Sequence, residues 1–298
     1  MYFNQAKFYF VRGNYPSFYQ KLIPSNAYSI YYPATSFKFS YNIKNNDKII
    51  RRDLMNYFSK RNHPQYDNYK MVLHHEDENY FKQFNKSKKI MFKKFSLGNT
   101  FKFLNLDKEY DLVYVAQAVQ KSKNHQLFFD FIKYCDTNKI NIKIAYVSTR
   151  EVLEKSYSNF YLPNDNSLTQ VKFFSHLDPN KLAELYNKSK INLVLSNRDC
   201  VPRVIIESIV CGCYNVGTDL LSDGKYYYDG ICGELLSFNY VEVQMIGSGM
   251  ISYISNPLIF KKLITLCQQD YDYEKISNEG NKLYNIDNTV NSIIKELV

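Results

Sequence analysis

The feature that most constrains this chain is a regular alternation, from Asp111 to Thr218, of short β-branched apolar runs with helical stretches. Asp111–Gln117, Asn141–Ser148, Gln170–Phe174, Ile191–Ser196 and Cys213–Thr218 read as strands. Lys123–Asp136, Arg150–Ser158, Pro179–Ser189 and Pro202–Cys211 read as the helices between them. Continuously apolar strands separated by helices call for a parallel sheet covered on both faces, hence an α/β fold. Local signals agree. Asp178-Pro179 supplies an N-cap followed by proline at the first helical position, Pro202 stands where another helix opens, and Gly212 suits a C-cap.

Upstream, Lys7–Val11, Tyr28–Tyr32, Lys70–His74 and Lys89–Lys93 read as strands, with helices near Ile50–Lys60 and Asp77–Phe84. The expected organisation is a small α/β domain over 1–108, short for a full doubly wound one, a second α/β domain over 109–286, and a C-terminal helix over 287–298. Val290, Ile293, Ile294 and Leu297 fall on one face of that helix. A length of 298 residues suits two domains, and 45% hydrophobic with 22% charged residues excludes disorder along the whole chain. The sequence has no run of eighteen or more apolar residues that could span a bilayer as a helix, and Asn, Gln and Lys interrupt any signal-type core at the N-terminus. Six scattered cysteines without CxxC pairs read as reduced thiols of a cytoplasmic protein. The aromatic share of 16% reads as genomic bias rather than mechanism.

The segment Asn187–Asp219 carries the most chemistry. A buried strand ends at Ser196, a polar loop follows, and a helix opens at Pro202. Ligands of open α/β sheets bind at such strand ends, and a helix N-terminus offers unpaired N–H groups and partial positive charge to phosphate. Arg203, in the first turn, adds a phosphate donor. Glu207 is a carboxylate among Val204, Ile205, Ile206, Ile209 and Val210, so it needs a partner. A ribose or sugar diol is one candidate, and an i,i+4 pair with Arg203 is the other.

This segment resembles the donor site of family 4 retaining glycosyltransferases, which have the GT-B fold and carry two acids separated by seven residues. Ser196 stands for the family's serine, Asp199-Cys200-Val201-Pro202 for its Glu-Gly-Phe-Pro, and Glu207 for the second acid. The resemblance runs from Asp111 to Phe238. Lys123-Asn124-His125 matches the family's Lys-Asn-His at a helix start, and Asp229-Gly230 with Gly233 its closing loop. It implies two Rossmann-like domains with parallel sheets facing a cleft, the N-terminal one shortened and the C-terminal helix crossing back toward it. Within the donor site it implies a sugar-contacting Asp199, a ribose-binding Glu207, and a diphosphate held by Lys123 and the backbone of Val201–Val204. Ser148 joins this donor set. The family's Gly-Arg pair is Ala116-Gln117 here, and its Gly-Gly-x-Pro-Glu loop reads Leu221-Ser222-Asp223-Gly224-Lys225, where Lys225 is the candidate replacement cation.

The implied activity is transfer of a sugar from a nucleoside-diphosphate sugar to a glycan or lipid-linked hydroxyl acceptor, with retention and without a metal or other cofactor. A catalytically degenerate nucleotide-sugar-binding subunit and a nucleotide-sugar epimerase are the rivals. On the acceptor side, Arg12-Gly13 after the first strand and His74-His75 after the third are the candidates, the first equally readable as an ordinary turn and the second as a polar strand-end loop; His74-His75-Glu76-Asp77-Glu78 fits no metal-ligand spacing. Net charge is +9, and Lys82, Lys86, Lys88, Lys89, Lys93 and Lys94 are interleaved with Phe84, Phe92 and Phe95. That pattern reads first as a solvated edge, with peripheral contact on anionic membrane as the functional option. Nucleic acid is not expected, since no RNP, KH or zinc pattern is present.

Overall fold

The structure is a computed structural model describing residues 8–13, 28–33, 71–74, 88–91, 100–196, 203–219, 227–237, 240–243, 250–253, 255–284, 287, 288, 291 and 295, the strands of 8–91 and 240–253 as backbone. The chain divides into two compact units, Met1–Lys93 with Asp287–Val298, and Lys94–Ile286.

In the first unit, β1 (Phe8–Gly13), β2 (Tyr28–Pro33), β3 (Met71–His74) and β4 (Lys88–Met91) form a parallel sheet in sequence order. All four strands expected from the sequence are present. The expected helices near 50–60 and 77–84 lie outside the described residues, and residues 287, 288, 291 and 295 are helical.

The second unit is a six-stranded parallel sheet. Its strands are β5 (Tyr110–Val115), β6 (Ile142–Val147), β7 (Thr169–Phe174), β8 (Ser189–Val194), β9 (Tyr214–Thr218) and β10 (Gly233–Leu236), in the order β10-β9-β8-β5-β6-β7. The helices are α1 (His125–Thr137), α2 (Arg150–Ser156), α3 (Pro179–Asn187), α4 (Arg203–Val210), α5 (Pro257–Gln268) and α6 (Tyr273–Tyr284). β11 (Tyr240–Val243) and β12 (Met250–Tyr253) make a separate antiparallel pair. The chain winds outward from β5 through β6 to β7, returns to β8 on the other side of β5, and winds outward again. This is the doubly wound order, and its reversal between β5 and β8 opens a crevice at their carboxyl ends. No helix among the described residues is long and apolar enough to cross a membrane.

Leu112, Val113, Ile144, Ala145, Ile191, Leu193 and Val216 bury the sheet on both faces. The aromatics have a structural use that composition does not reveal. Tyr114 lies 4.2 Å from Phe128, Tyr146 meets Phe128 edge-on at 5.0 Å and Phe173 at 4.8 Å, and Phe129 packs on Phe160 at 5.1 Å. These pairs form the floor beneath the loop joining β5 to α1, each worth about 0.5–1.5 kcal/mol beyond its buried area.

Capping follows the sequence signals. Asp178 accepts from the Asn180 and Lys181 N–H groups at 3.0 and 3.1 Å, with Pro179 opening α3. Asn256-Pro257 does the same for α5, a start signal equivalent to the first. Gly212 sits at φ +80°, where its N–H donates to Ile209 O at 2.8 Å and a Cβ would lie 2.6 Å from Tyr273 O. The flanking Cys211 and Cys213 are packing residues, and burial pushes the Cys213 thiol up to about 12, out of reach of ordinary thiolate chemistry.

Candidate active site

The crevice is built first from the loop that leaves β5. Ala116 N–H still pairs with Val147 O at 3.2 Å, and the Ser148 hydroxyl donates to Ala116 O at 2.7 Å, so the carboxyl ends of β5 and β6 are tied together. The chain then turns through a 3-10 turn, Lys121–Lys123, in which Lys123 N–H donates to Gln120 O at 2.9 Å. The Tyr114 hydroxyl, rising from β5, donates to the Lys123 carbonyl.

Asn124 and His125 finish the loop. Asn124 has left-handed backbone (φ 59°, ψ 44°), and its side-chain amide donates to Leu195 O at 2.6 Å, across the crevice on the strand-end segment of β8. His125 is fully buried. Its Nε2 reaches Gln117 O at 3.0 Å and its Nδ1 the Tyr146 hydroxyl at 2.5 Å. Desolvation lowers its pKa to about 4, so the ring is neutral, donating from Nε2 to the carbonyl and accepting at Nδ1 from the phenol. Burial also holds the Tyr146 phenol protonated by raising its pKa well above the usual value.

The other wall is α4. Beneath its first turn, the buried Asn192 amide donates to Val204 O at 3.2 Å and to Asn215 Oδ1 at 2.7 Å, fixing the helix start over β8 and β9. Behind α4, Ser277 donates to Val210 O at 2.7 Å, and α6 approaches so closely that a Cβ on Gly280 would lie 2.4 Å from Ile209 Cγ2. Glu207 is buried within this helix. The Arg203 guanidinium reaches its Oε1 at 3.1 Å, with the Arg203 side chain 58% exposed and that of Glu207 10% exposed. Both partners expected for Glu207 are thus compatible with its position, and the ion pair is the one formed here.

Of the residues singled out in the sequence, Ser148 and Ser196 follow the carboxyl ends of β6 and β8, Lys123 closes the turn between β5 and α1, and Arg203, Val204 and Glu207 lie on the helix that follows β8. The Ser196 carbonyl accepts from the Thr218 hydroxyl at 3.3 Å. Asp199, Val201, Pro202 and Lys225 lie outside the described residues, as does His75. Arg12 and Gly13 end β1 and His74 ends β3, at the carboxyl edge of the four-stranded sheet with β2 between them. Asn124 and His125 enter the sequence reading only as neighbours of Lys123 in the Lys-Asn-His match, without a role of their own, and Tyr114 and Tyr146 do not enter it. A left-handed position before a helix favours Asn, a further local signal at Asn124. Among the described residues no group of three or more His, Cys, Asp or Glu could hold a metal ion.

A family model for the glycosyl transferases group 1 matches residues 98–266, more than half of the chain, and the chain belongs to this family. Solved structures share the fold at low identity. The GtfA/B complex aligns with a TM-score of 0.62 at 13% identity over 94% of this chain and 54% of that one. Anabaena HepE in complex with UDP aligns at 0.53 and 13% identity, covering 91% and 72%. An α,α-trehalose-phosphate synthase (UDP-forming) from Burkholderia vietnamiensis aligns at 0.58 and 9% identity, covering 97% and 72%. This chain therefore spans about half the length of the GtfA/B relative. No curated protein matches it.

Proposed function

We propose that this chain transfers a sugar from a nucleoside-diphosphate sugar to a hydroxyl of a glycan or lipid-linked acceptor, with retention at the anomeric carbon. The observation that carries this reading is the hydrogen bond, at the β5–β8 reversal, from Asn124 of the Lys123 loop to Leu195 O at the end of β8, the strand that precedes α4. Family membership and the UDP of HepE support a nucleotide donor, with UDP the first base to test.

In the proposed reaction the acceptor oxygen bonds to the anomeric carbon as the bond from that carbon to the diphosphate oxygen breaks. The hydroxyl proton passes to a phosphate oxygen of the leaving nucleotide. Lys123, Arg203 and the N–H groups opening α4, with Val201, Pro202 and Val204 alongside, stabilise negative charge that grows on the diphosphate, so they act more strongly in the transition state than before it. Glu207 accepts from the ribose hydroxyls, which frees Arg203 to turn toward phosphate, and Asp199, Ser196 and Ser148 complete the donor side. Lys225 is the candidate replacement cation. Fixed cations and helix dipoles suffice in this scheme, and it assigns no role to a metal.

On the acceptor side the proposal places Arg12, Gly13, His74 and His75. Charge supports an anionic partner there. The unit of Met1–Lys93 and Asp287–Val298 holds 17 Lys and Arg against 8 Asp and Glu, whereas Lys94–Ile286 holds 21 of each. The whole net charge of +9 therefore resides in the unit without the donor site. Such a field favours an acceptor bearing phosphate or carboxylate, or one presented at an acidic lipid surface.

A thermal-shift panel of UDP, GDP, ADP and CMP tests the reading on the full chain and on Glu207→Ala. Ligand at 100 times its dissociation constant adds about 2.7 kcal/mol, or several degrees for a chain of this size. One nucleotide shifting the wild type and not the variant is the expected result. No shift from any nucleotide would overturn it.

A further inference from the structure

We infer that Asn124 is the positioning residue that sets the distance between the two walls of the donor crevice, and thereby places Lys123; the inference rests on the donor-site reading above.

β5 and β8 are hydrogen-bonded neighbours through Tyr114 and Leu193. Beyond that pair their chains separate. Ala116 stays with β6 through Val147 and Ser148, and Thr218 of β9 holds the Ser196 carbonyl. The sheet itself thus draws the two loops apart where a diphosphate would sit. The Asn124 amide spans this gap to Leu195 O at 2.6 Å while Asn124 itself is buried.

Two demands meet at this position. The backbone is left-handed at φ 59°, which disfavours side chains other than Asn, Asp and Gly. The gap requires a short side chain that donates to a carbonyl. Gly meets the first demand and not the second, and Asp presents an oxygen to an oxygen. Asn alone of the three meets both.

The neighbouring bonds make this strut act on Lys123 and not only on Asn124. Tyr114 holds the Lys123 carbonyl, Gln120 O holds its N–H, and His125 anchors Gln117 O from below. With the loop pinned to β5 and to the aromatic floor, the bond to Leu195 is the described contact that registers it against the segment leading to α4. Its loss would leave a folded loop whose cation is displaced.

Titration calorimetry with UDP on the full chain, or with whichever nucleoside diphosphate the panel selects, tests this. It compares wild type, Asn124→Gly, Asn124→Asp, Lys123→Ala and Asn124→Gly/Lys123→Ala. We expect Asn124→Gly to unfold within a few degrees of wild type yet to bind about tenfold more weakly. Asn124→Asp should bind at least as weakly. In the Lys123→Ala background the Asn124→Gly loss should shrink below about threefold, since neighbours in one chain of contacts are not additive. Asn124→Gly binding like wild type, or an undiminished loss in the Lys123→Ala background, overturns the inference alone. Wild type that binds no nucleoside diphosphate overturns the donor-site reading and this inference with it.

Discussion

Arg203 and Glu207, one turn apart on α4, form an ion pair at 3.1 Å in which the carboxylate is buried and the guanidinium is largely in water. The guanidinium is solvent-screened, but the carboxylate it neutralises is buried, so removing it costs more than breaking a surface pair. Arg203→Ala should therefore lower unfolding free energy by about 1–3 kcal/mol in urea titrations while the chain still folds. If the guanidinium serves phosphate when nucleotide binds, the same variant should also bind nucleotide about tenfold or more weakly. A stability loss with unchanged affinity would assign Arg203 to holding Glu207 alone.

The buried His125 gives the fold a pH dependence with a definite sign. Its folded pKa is about 4, below the ordinary 6.5, so the unfolded chain binds the extra proton between those values. The stabilisation is complete above pH 6.5 and is lost as pH falls toward 4, by about 3 kcal/mol at most. Urea midpoints across that range should fall for wild type and fall less steeply for His125→Gln. An imidazole resonance for His125 that titrates near 6.5 would contradict the burial on which this rests.

Gly280 offers a test of the α4–α6 contact. Alanine normally improves a helix interior by about 1 kcal/mol over glycine. Here the added methyl would meet Ile209 Cγ2 at 2.4 Å inside the core, and overpacking of that kind costs about 1–3 kcal/mol. Gly280→Ala should therefore lower the melting temperature, against the propensity trend. A raised melting temperature would show that α6 is free to shift away from α4.

The charge division between units predicts binding to acidic vesicles that disappears with salt. Co-sedimentation with phosphatidylglycerol-rich vesicles at low salt should be lost by about 0.5 M salt, where screening acts over a few ångströms. Isolated phosphatidylcholine vesicles should not bind. Binding to both lipids alike would remove the electrostatic account of the acceptor side.

Much of the second unit is legible in the sequence because its signals are local. The five strands from β5 to β9 are apolar runs of the length a buried parallel strand needs, and Asp178-Pro179 marks a helix start in two residues. β10, α5, α6 and the β11–β12 pair lie outside the elements expected from the sequence, although Asn256-Pro257 marks the start of α5 as Asp178-Pro179 marks that of α3. Gly-Glu-Leu-Leu is short for a strand and pairs only because Gly233 lets its backbone approach Asn215, where a Cβ would lie 2.3 Å from Asn215 O. α6 carries Asn, Glu and Lys around a narrow apolar stripe, and its glycine and serine are explained only by α4 behind them.

The proposed donor crevice divides in the same way. Lys123, Arg203 and Glu207 are visible as charged residues at helix starts or among apolar neighbours. The parts that hold Lys123 in place are not. Tyr114, Tyr146 and His125 lie on three separate elements, and their hydrogen bonds arise only once β5 and β6 pair and α1 covers them. An aromatic excess that composition assigns to genomic bias turns out, in this unit, to build the floor of the loop.

The most direct measurement is a crystal structure of the full chain with UDP. The account predicts the diphosphate between Lys123 and the N-terminus of α4, with the ribose hydroxyls on Glu207 and Arg203 swung toward phosphate. A nucleotide bound away from the carboxyl ends of β5 and β8, or bound there with Glu207 still held by Arg203 and no contact to Lys123, would contradict it.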